Sequence, residues 1–113
     1  MLKPAPKQPE PLDPAKENAR ALQMQLLTAF EFQDHDAHIA AHMAFMASRM
    51  VQINPQVYAL MQSHISDHIS FKAKATVKGI MAQDPQMQQM AQQDPEQFDI
   101  LFQAEVAKVA AQI

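Results

Sequence analysis

Two histidine pairs have the spacing of metal ligands on a helix. His38 and His42 are four residues apart, and so are His64 and His68. Residues four apart lie one turn above each other on the same helix face, so each pair can present two ring nitrogens to one ion. If the two pairs meet, their imidazoles form a candidate site for Zn²⁺ or another divalent transition metal.

Further polar side chains flank these pairs. His35 precedes His38 by three positions and therefore lies on the same helix face. We expect His35, Asp34 and Asp67, with Asp36 beside them, to act as auxiliary ligands or as acceptors for the ring N–H groups. A di-iron carboxylate site is less well supported, because such bundles use Glu-x-x-His pairs with further Glu residues.

Two other interpretations of the histidines stay open. Helix-face imidazoles can hydrogen-bond to one another or to Asp without any metal, and this structural interpretation is favoured over the metal site. Clustered rings that become protonated at about pH 6 would repel each other and loosen the hairpin, which would give a pH response. Catalytic residues are not predicted, because the chain has no Cys and its single Gly cannot form a glycine-rich phosphate loop. We therefore expect no enzymatic activity.

The composition predicts the all-α architecture that must position these residues. The chain has 113 residues, one Gly and no Cys, and it is rich in the helix formers Ala, Gln, Met and Leu. Its net charge of -3 argues against tight binding to phosphates. Without an apolar run of about 20 residues or a signal-peptide core, the sequence predicts a soluble protein that is neither secreted nor in contact with a membrane.

Four Asp-Pro or Asn-Pro pairs mark predicted helix starts. Asp or Asn caps free N–H groups, and Pro fits the first helical position, where its missing donor is not needed. The first helix is predicted from about Pro14 to Arg49, a length that allows a break near 30–34, and the second from Pro55 to about Ala82. A third covers 85–92 and a fourth begins at Pro95. The predicted units are an extended, flexible Pro-rich leader (1–13), a long helix hairpin (14–82), and a short helix plus an amphipathic C-terminal helix (83–113).

An internal repeat supports the hairpin. The segments 38–45 and 64–71 share the pattern His-Ile-x-x-His-apolar-small-Phe. A short connection between the two helices favours antiparallel packing. A turn centred near Gln52 or Ile53 then places His38 level with His68, and His42 level with His64.

The same segment resembles the C-terminal region of tailed-bacteriophage portal proteins, the head-tail connectors. The resemblance lies in the run 34–46, the Asn54-Pro55 turn and the run 64–69, and the helix 105–113 is also similar. It implies a homo-oligomeric ring at the capsid vertex, contact with capsid proteins, and passage of double-stranded DNA without sequence-specific binding. It also implies a role in virion assembly and DNA packaging, in the virion or the host cytoplasm. Portal subunits are several times longer, so we expect this chain to be a piece or a free-standing relative.

The sequence therefore leads to two functional hypotheses. The first is a non-enzymatic structural segment that resembles the crown or barrel part of a portal protein. The alternative is a small helical metal-binding module that uses a four-histidine site across the hairpin.

Overall fold

The computed structural model describes residues 9–113, so most of the predicted leader (1–13) lies outside the described residues. The described part is all-α, as predicted. The helices are α1 (Pro14–Leu22), α2 (His35–Met46), α3 (Arg49–Gln52), α4 (Pro55–Ala82), α5 (Pro85–Gln93) and α6 (Pro95–Ala110).

The four predicted Asx-Pro starts are confirmed. The side chains of Asp13, Asn54, Asp84 and Asp94 each accept a hydrogen bond from a backbone N–H in the first turn of the following helix. Each cap also precedes a proline at the first helical position, which needs no N–H partner. The predicted bounds of α4 agree with the structure, and those of α5 and the start of α6 agree closely.

The first predicted helix, Pro14 to Arg49, is wrong, because this segment forms two helices, α1 and α2, and ends at the first residue of α3. An irregular stretch, 23–34, separates α1 from α2; it includes positions 30–34, the alternative considered for a break, but begins seven residues earlier. Met24 adopts a left-handed φ of 56°, which ends the helical path. Asp34 then caps a new start by accepting from the Ala37 N–H at 3.1 Å. The reversal folds α1 back onto the hairpin, where it packs against α2 and α4.

Helix α4 passes through two hydrophobic cores. Its N-terminal half packs with α1, α2 and α3 around Met61 and Val57, which are fully buried. Its C-terminal half packs with α6 through Val77 and Val106. The histidine pairs lie where α1, α2 and the first half of α4 meet.

In the described residues, 9–113, no helix is both long and apolar enough to cross a membrane.

Candidate metal centre

Histidine rings and one carboxylate converge between α1, α2 and α4. One ligand atom from each residue lies within 4.8 Å of all the others, and none of the residues exposes more than 5% of its surface. Charged or polar side chains this deeply buried are rare unless they are paired or bind a metal. The members of this cluster, called the His–Glu cluster below, are Glu17, His38, His42, His64 and His68.

The predicted pairing across the hairpin is confirmed. The His38 and His68 rings stack with centroids 4.6 Å apart, and the His42 and His64 rings meet edge to face at 5.0 Å. Both pairs sit on the buried faces of their helices, because the four-residue spacing keeps each pair on one face. The hairpin thus brings all four predicted ligands together.

Glu17 is the member that the sequence did not reveal. Its Oε1 lies 2.5 Å from Nδ1 of His38 and 3.2 Å from Nε2 of His42, and its Oε2 lies 2.9 Å from Nε2 of His64. An acid in the first turn of a helix ordinarily indicates favourable interaction with the helix dipole, so Glu17 gave no distinctive signal. In the structure Glu17 shares a helix face with Ala21, four residues on, which is fully buried.

The surroundings keep Glu17 ionised. Burial alone raises the pKa of this carboxyl, but hydrogen bonds from His42 and His64 and the positive charges of His64 and His38 outweigh it. Together they lower its pKa to about 2. The cluster therefore holds a carboxylate at neutral pH, with both of its oxygens directed at imidazole nitrogens.

His68 is held in its neutral form. Burial, followed by the charges of His64 and His38, lowers its pKa to about 3, although the charge of Glu17 acts in the opposite direction. A neutral imidazole carries a lone pair on one nitrogen, which is the form that binds metals. His68 therefore has the protonation state that a ligand requires.

A hydrogen bond with His35 determines which ring nitrogen of His68 carries the proton. The Nε2–H of His35 donates to the Glu31 carbonyl oxygen at 3.0 Å, which leaves its Nδ1 as an acceptor. The Nδ1–H of His68 donates to that acceptor at 2.8 Å. The Nε2 lone pair of His68 consequently points into the His–Glu cluster. His35 thus lies beside the site in the auxiliary position predicted for it.

Asn18 acts in the same way on His42. The Nδ1–H of His42 donates to Asn18 Oδ1 at 2.7 Å, so Nε2 is the nitrogen that faces Glu17. Outer hydrogen bonds of this kind orient ligating histidines and raise their basicity. Sequence reasoning did not identify Asn18, which lies next to Glu17 on α1.

The predicted auxiliary aspartates do not join the His–Glu cluster. Asp34 caps α2 through the Ala37 N–H, Asp36 forms an ion pair with Lys72, and Asp67 is exposed. Asp67 is adjacent to His68 in sequence, and successive helical residues project about 100° apart, so the two side chains diverge. Among the described residues, one buried side-chain polar atom has no hydrogen-bond partner, and it is Nδ1 of His64.

The cluster is thus a pre-assembled set of nitrogen and oxygen donors, with outer hydrogen bonds that direct two of its lone pairs inward. This chemistry suits a borderline divalent transition metal, because imidazole and carboxylate both bind such ions. The chain matches no family model, no curated protein and no solved structure.

Proposed function

We propose that this chain is a non-enzymatic helical module that binds one divalent transition-metal ion in the His–Glu cluster. The observation that carries the proposal is the convergence of buried donors from three helices on one point. A polar cluster that served only helix packing would not require so many donors to face one another, since ordinary buried polar groups are satisfied by one or two partners.

Two ring nitrogens support a cation at the centre. The outer hydrogen bonds to Asn18 and His35 leave inward lone pairs on His42 and His68 when these rings are neutral. The lone pair of His42 then faces an oxygen of Glu17 at 3.2 Å, and both atoms are acceptors. A positive charge between them turns this unfavourable contact into a favourable one. In the metal-free structure the same contact is a hydrogen bond between the two side chains, so a bound metal ion would take the place of the shared proton.

A structural role suits the site better than catalysis. A catalytic metal keeps a coordination position open for water or substrate, whereas structural sites are closed by protein ligands. The members of the His–Glu cluster are almost inaccessible to solvent, with His42 and His68 fully buried. Metal binding at such a site contributes directly to folding stability, because the unfolded chain does not bring the ligands together.

Elemental analysis tests this proposal. Protein purified without chelator should contain about one transition-metal ion per chain, and paired substitution of His42→Ala with His68→Ala should abolish it. Asp67→Asn provides a matched control, because Asp67 is exposed and adjacent to a ligand but does not face the cluster. Folded natural protein that contains no metal, and takes up none from solutions of Fe²⁺, Ni²⁺ or Zn²⁺, would overturn the proposal.

A second proposed function follows from the resemblance to portal proteins. In this proposal the chain is a segment of a homo-oligomeric ring that contacts capsid proteins and passing DNA, in the virion or host cytoplasm. The observation that favours it is the set of large apolar side chains exposed on the described surface, among them Phe32 (74%), Ile80 (64%) and Ile100 (61%). These side chains are the candidates for such contacts, because contiguous exposed apolar patches mark protein–protein interaction sites.

Light scattering at increasing concentration tests the assembly proposal. A symmetric oligomer that dissociates on Ile80→Glu or Ile100→Glu would support it, and Lys74→Glu, a polar exchange on α4, is the control. A chain that stays monomeric at all concentrations, in both its metal-loaded and metal-free forms, would contradict it. The two proposed functions are compatible, since a closed metal site is a way to hold the helices of an assembly segment together.

A further inference from the structure

The spacing of donor atoms distinguishes coordination geometries. With metal–donor distances of about 2.1 Å, neighbouring donors in an octahedron are about 3.0 Å apart and opposite donors about 4.2 Å apart. In a tetrahedron all donors are neighbours, at about 3.4 Å. A donor pair near 4 Å therefore indicates an octahedron, provided that the other pairs are shorter.

The His–Glu cluster contains both kinds of spacing. Around Oε1 of Glu17, the nitrogens of His38 and His42 lie at 2.5 and 3.2 Å, whereas Nε2 of His68 lies at 4.0 Å. Two further short distances are 2.9 Å from Oε2 of Glu17 to Nε2 of His64, and 3.1 Å between the Nε2 atoms of His64 and His68. The four short distances, 2.5–3.2 Å, lie around the spacing of neighbouring positions. The 4.0 Å distance from Oε1 of Glu17 to Nε2 of His68 is close to the spacing of opposite positions.

These distances can be placed on one distorted octahedron, in which the two oxygens of Glu17 are closer together than the other neighbouring donors because one carbon joins them. His68 lies opposite Oε1 of Glu17, while His64 is a neighbour of both His68 and Oε2. His38 and His42, both neighbours of Oε1, then occupy the position opposite Oε2 and the position opposite His64. Each of the six positions has one donor, four from imidazoles and two from the Glu17 carboxylate.

We propose that the His–Glu cluster is a six-coordinate site of four nitrogens and two oxygens, selective for Fe²⁺, Co²⁺ or Ni²⁺ over Zn²⁺. This inference rests on the proposed metal-binding function. Imidazole is a good ligand for iron and nickel, while Zn²⁺ in structural sites is almost always tetrahedral. Mg²⁺ and Ca²⁺ are disfavoured because they take oxygen ligands.

Bidentate binding by Glu17 is the specific feature that this inference adds. A tetrahedral ion would use four of the donors and leave at least one buried polar group without a partner, which is costly. The octahedral ion uses every inward-facing donor. It also leaves no position for water, so the bound ion is shielded from exogenous ligands.

Visible absorption of the Co²⁺-loaded full chain tests the coordination number. Six-coordinate Co²⁺ absorbs weakly and tetrahedral Co²⁺ strongly, because the octahedral transitions are symmetry-forbidden. We expect weak, pale bands for the natural sequence. Glu17→Gln should intensify them, because an amide cannot bind through two oxygens. It should also weaken binding by more than the roughly 10–100-fold caused by loss of an outer hydrogen-bond partner. Asp67→Asn, the same acid-to-amide change outside the cluster, should leave both quantities unchanged.

The outcomes separate this inference from the proposed function. Intense tetrahedral bands with stoichiometric binding would overturn the six-coordinate site while leaving the metal-binding function intact. So would an unchanged spectrum and affinity in Glu17→Gln. Failure to bind Co²⁺, Ni²⁺, Fe²⁺ and Zn²⁺ would overturn both. In direct competition between Ni²⁺ and Zn²⁺, tighter binding of Zn²⁺ would contradict the proposed selectivity.

Discussion

Replacing His35 tests whether a residue that does not touch the metal controls its binding. His35 accepts the Nδ1–H of His68 at 2.8 Å, and this bond directs the Nε2 lone pair of His68 into the cluster. In His35→Ala the acceptor is lost, so His68 can place its proton on either nitrogen and its ring is free to turn. Loss of such an outer partner typically weakens metal affinity by about 10–100-fold, which corresponds to roughly 1.4–2.7 kcal/mol. Competition with a chromophoric chelator at fixed pH measures the change.

Two further variants separate orientation of the ligand from packing. The His35 ring also stacks on Phe71, with centroids 5.5 Å apart and planes inclined by 11°. Phe71→Leu removes this stacking but keeps the hydrogen bond, so it should lower stability without the full loss of affinity. In His35→Asn the side-chain oxygen occupies a place close to that of Nδ1, and it should restore much of the binding. Affinity in His35→Ala equal to that of the natural sequence would refute the reasoning.

Three other predictions concern the metal-free chain and are measured by urea unfolding with a chelator present. The pKa of His68 lies at about 3 in the folded state, below its usual 6.5, so the folded state binds fewer protons there and stability falls as the pH drops from 6.5 towards 3. The expected loss of unfolding free energy is about 1.4 kcal/mol per pH unit. Glu17, whose pKa is also lowered, adds a further loss of stability as the pH falls from 4.5 to about 2. His68→Gln should remove the slope between pH 6.5 and 3, and an unchanged slope would refute this assignment. Met61→Ala, at a fully buried position, should cost about 2–5 kcal/mol, while Met43→Ala, at a largely exposed one, should cost little; equal costs would contradict the assigned core. Asn54→Ala removes the cap of α4 and should cost about 1 kcal/mol, whereas a cost equal to that of Met61→Ala would mean that Asn54 does more than cap.

Local chemistry explains which helix bounds were predictable. The Asx-Pro starts depend on neighbouring residues alone, because the cap and the proline act within one helical turn. The reversal at 23–34 depends on distant contacts instead. Gln33, for example, donates from its side-chain amide to the Leu12 carbonyl at 3.3 Å and accepts from the Phe30 N–H at 2.9 Å. Helix propensity continues through this region, so tertiary contacts decide the outcome.

The same distinction applies to the site. The histidine pairs were predictable because the four-residue spacing and a short connection determine both the helix face and the level of each ring. Glu17 was not, because its position depends on the fold-back of α1 across an irregular stretch. It meets His38 over 21 residues of sequence. Asp67 shows the opposite error, since closeness to His68 in sequence suggested a contact that helix geometry prevents.

The site draws its ligands from helices far apart along the chain, from Glu17 on α1 to His68 on α4. An ion bound at the proposed site would therefore act as a covalent cross-link does, by joining chain segments that are far apart in sequence. For a loop of this length, a disulfide is expected to contribute on the order of 4 kcal/mol through lost chain entropy. This sequence has no Cys with which to form one. If the proposed metal binds, it would strengthen the attachment of α1 to the hairpin in a way that depends on the supply of metal rather than on the redox state of the surroundings.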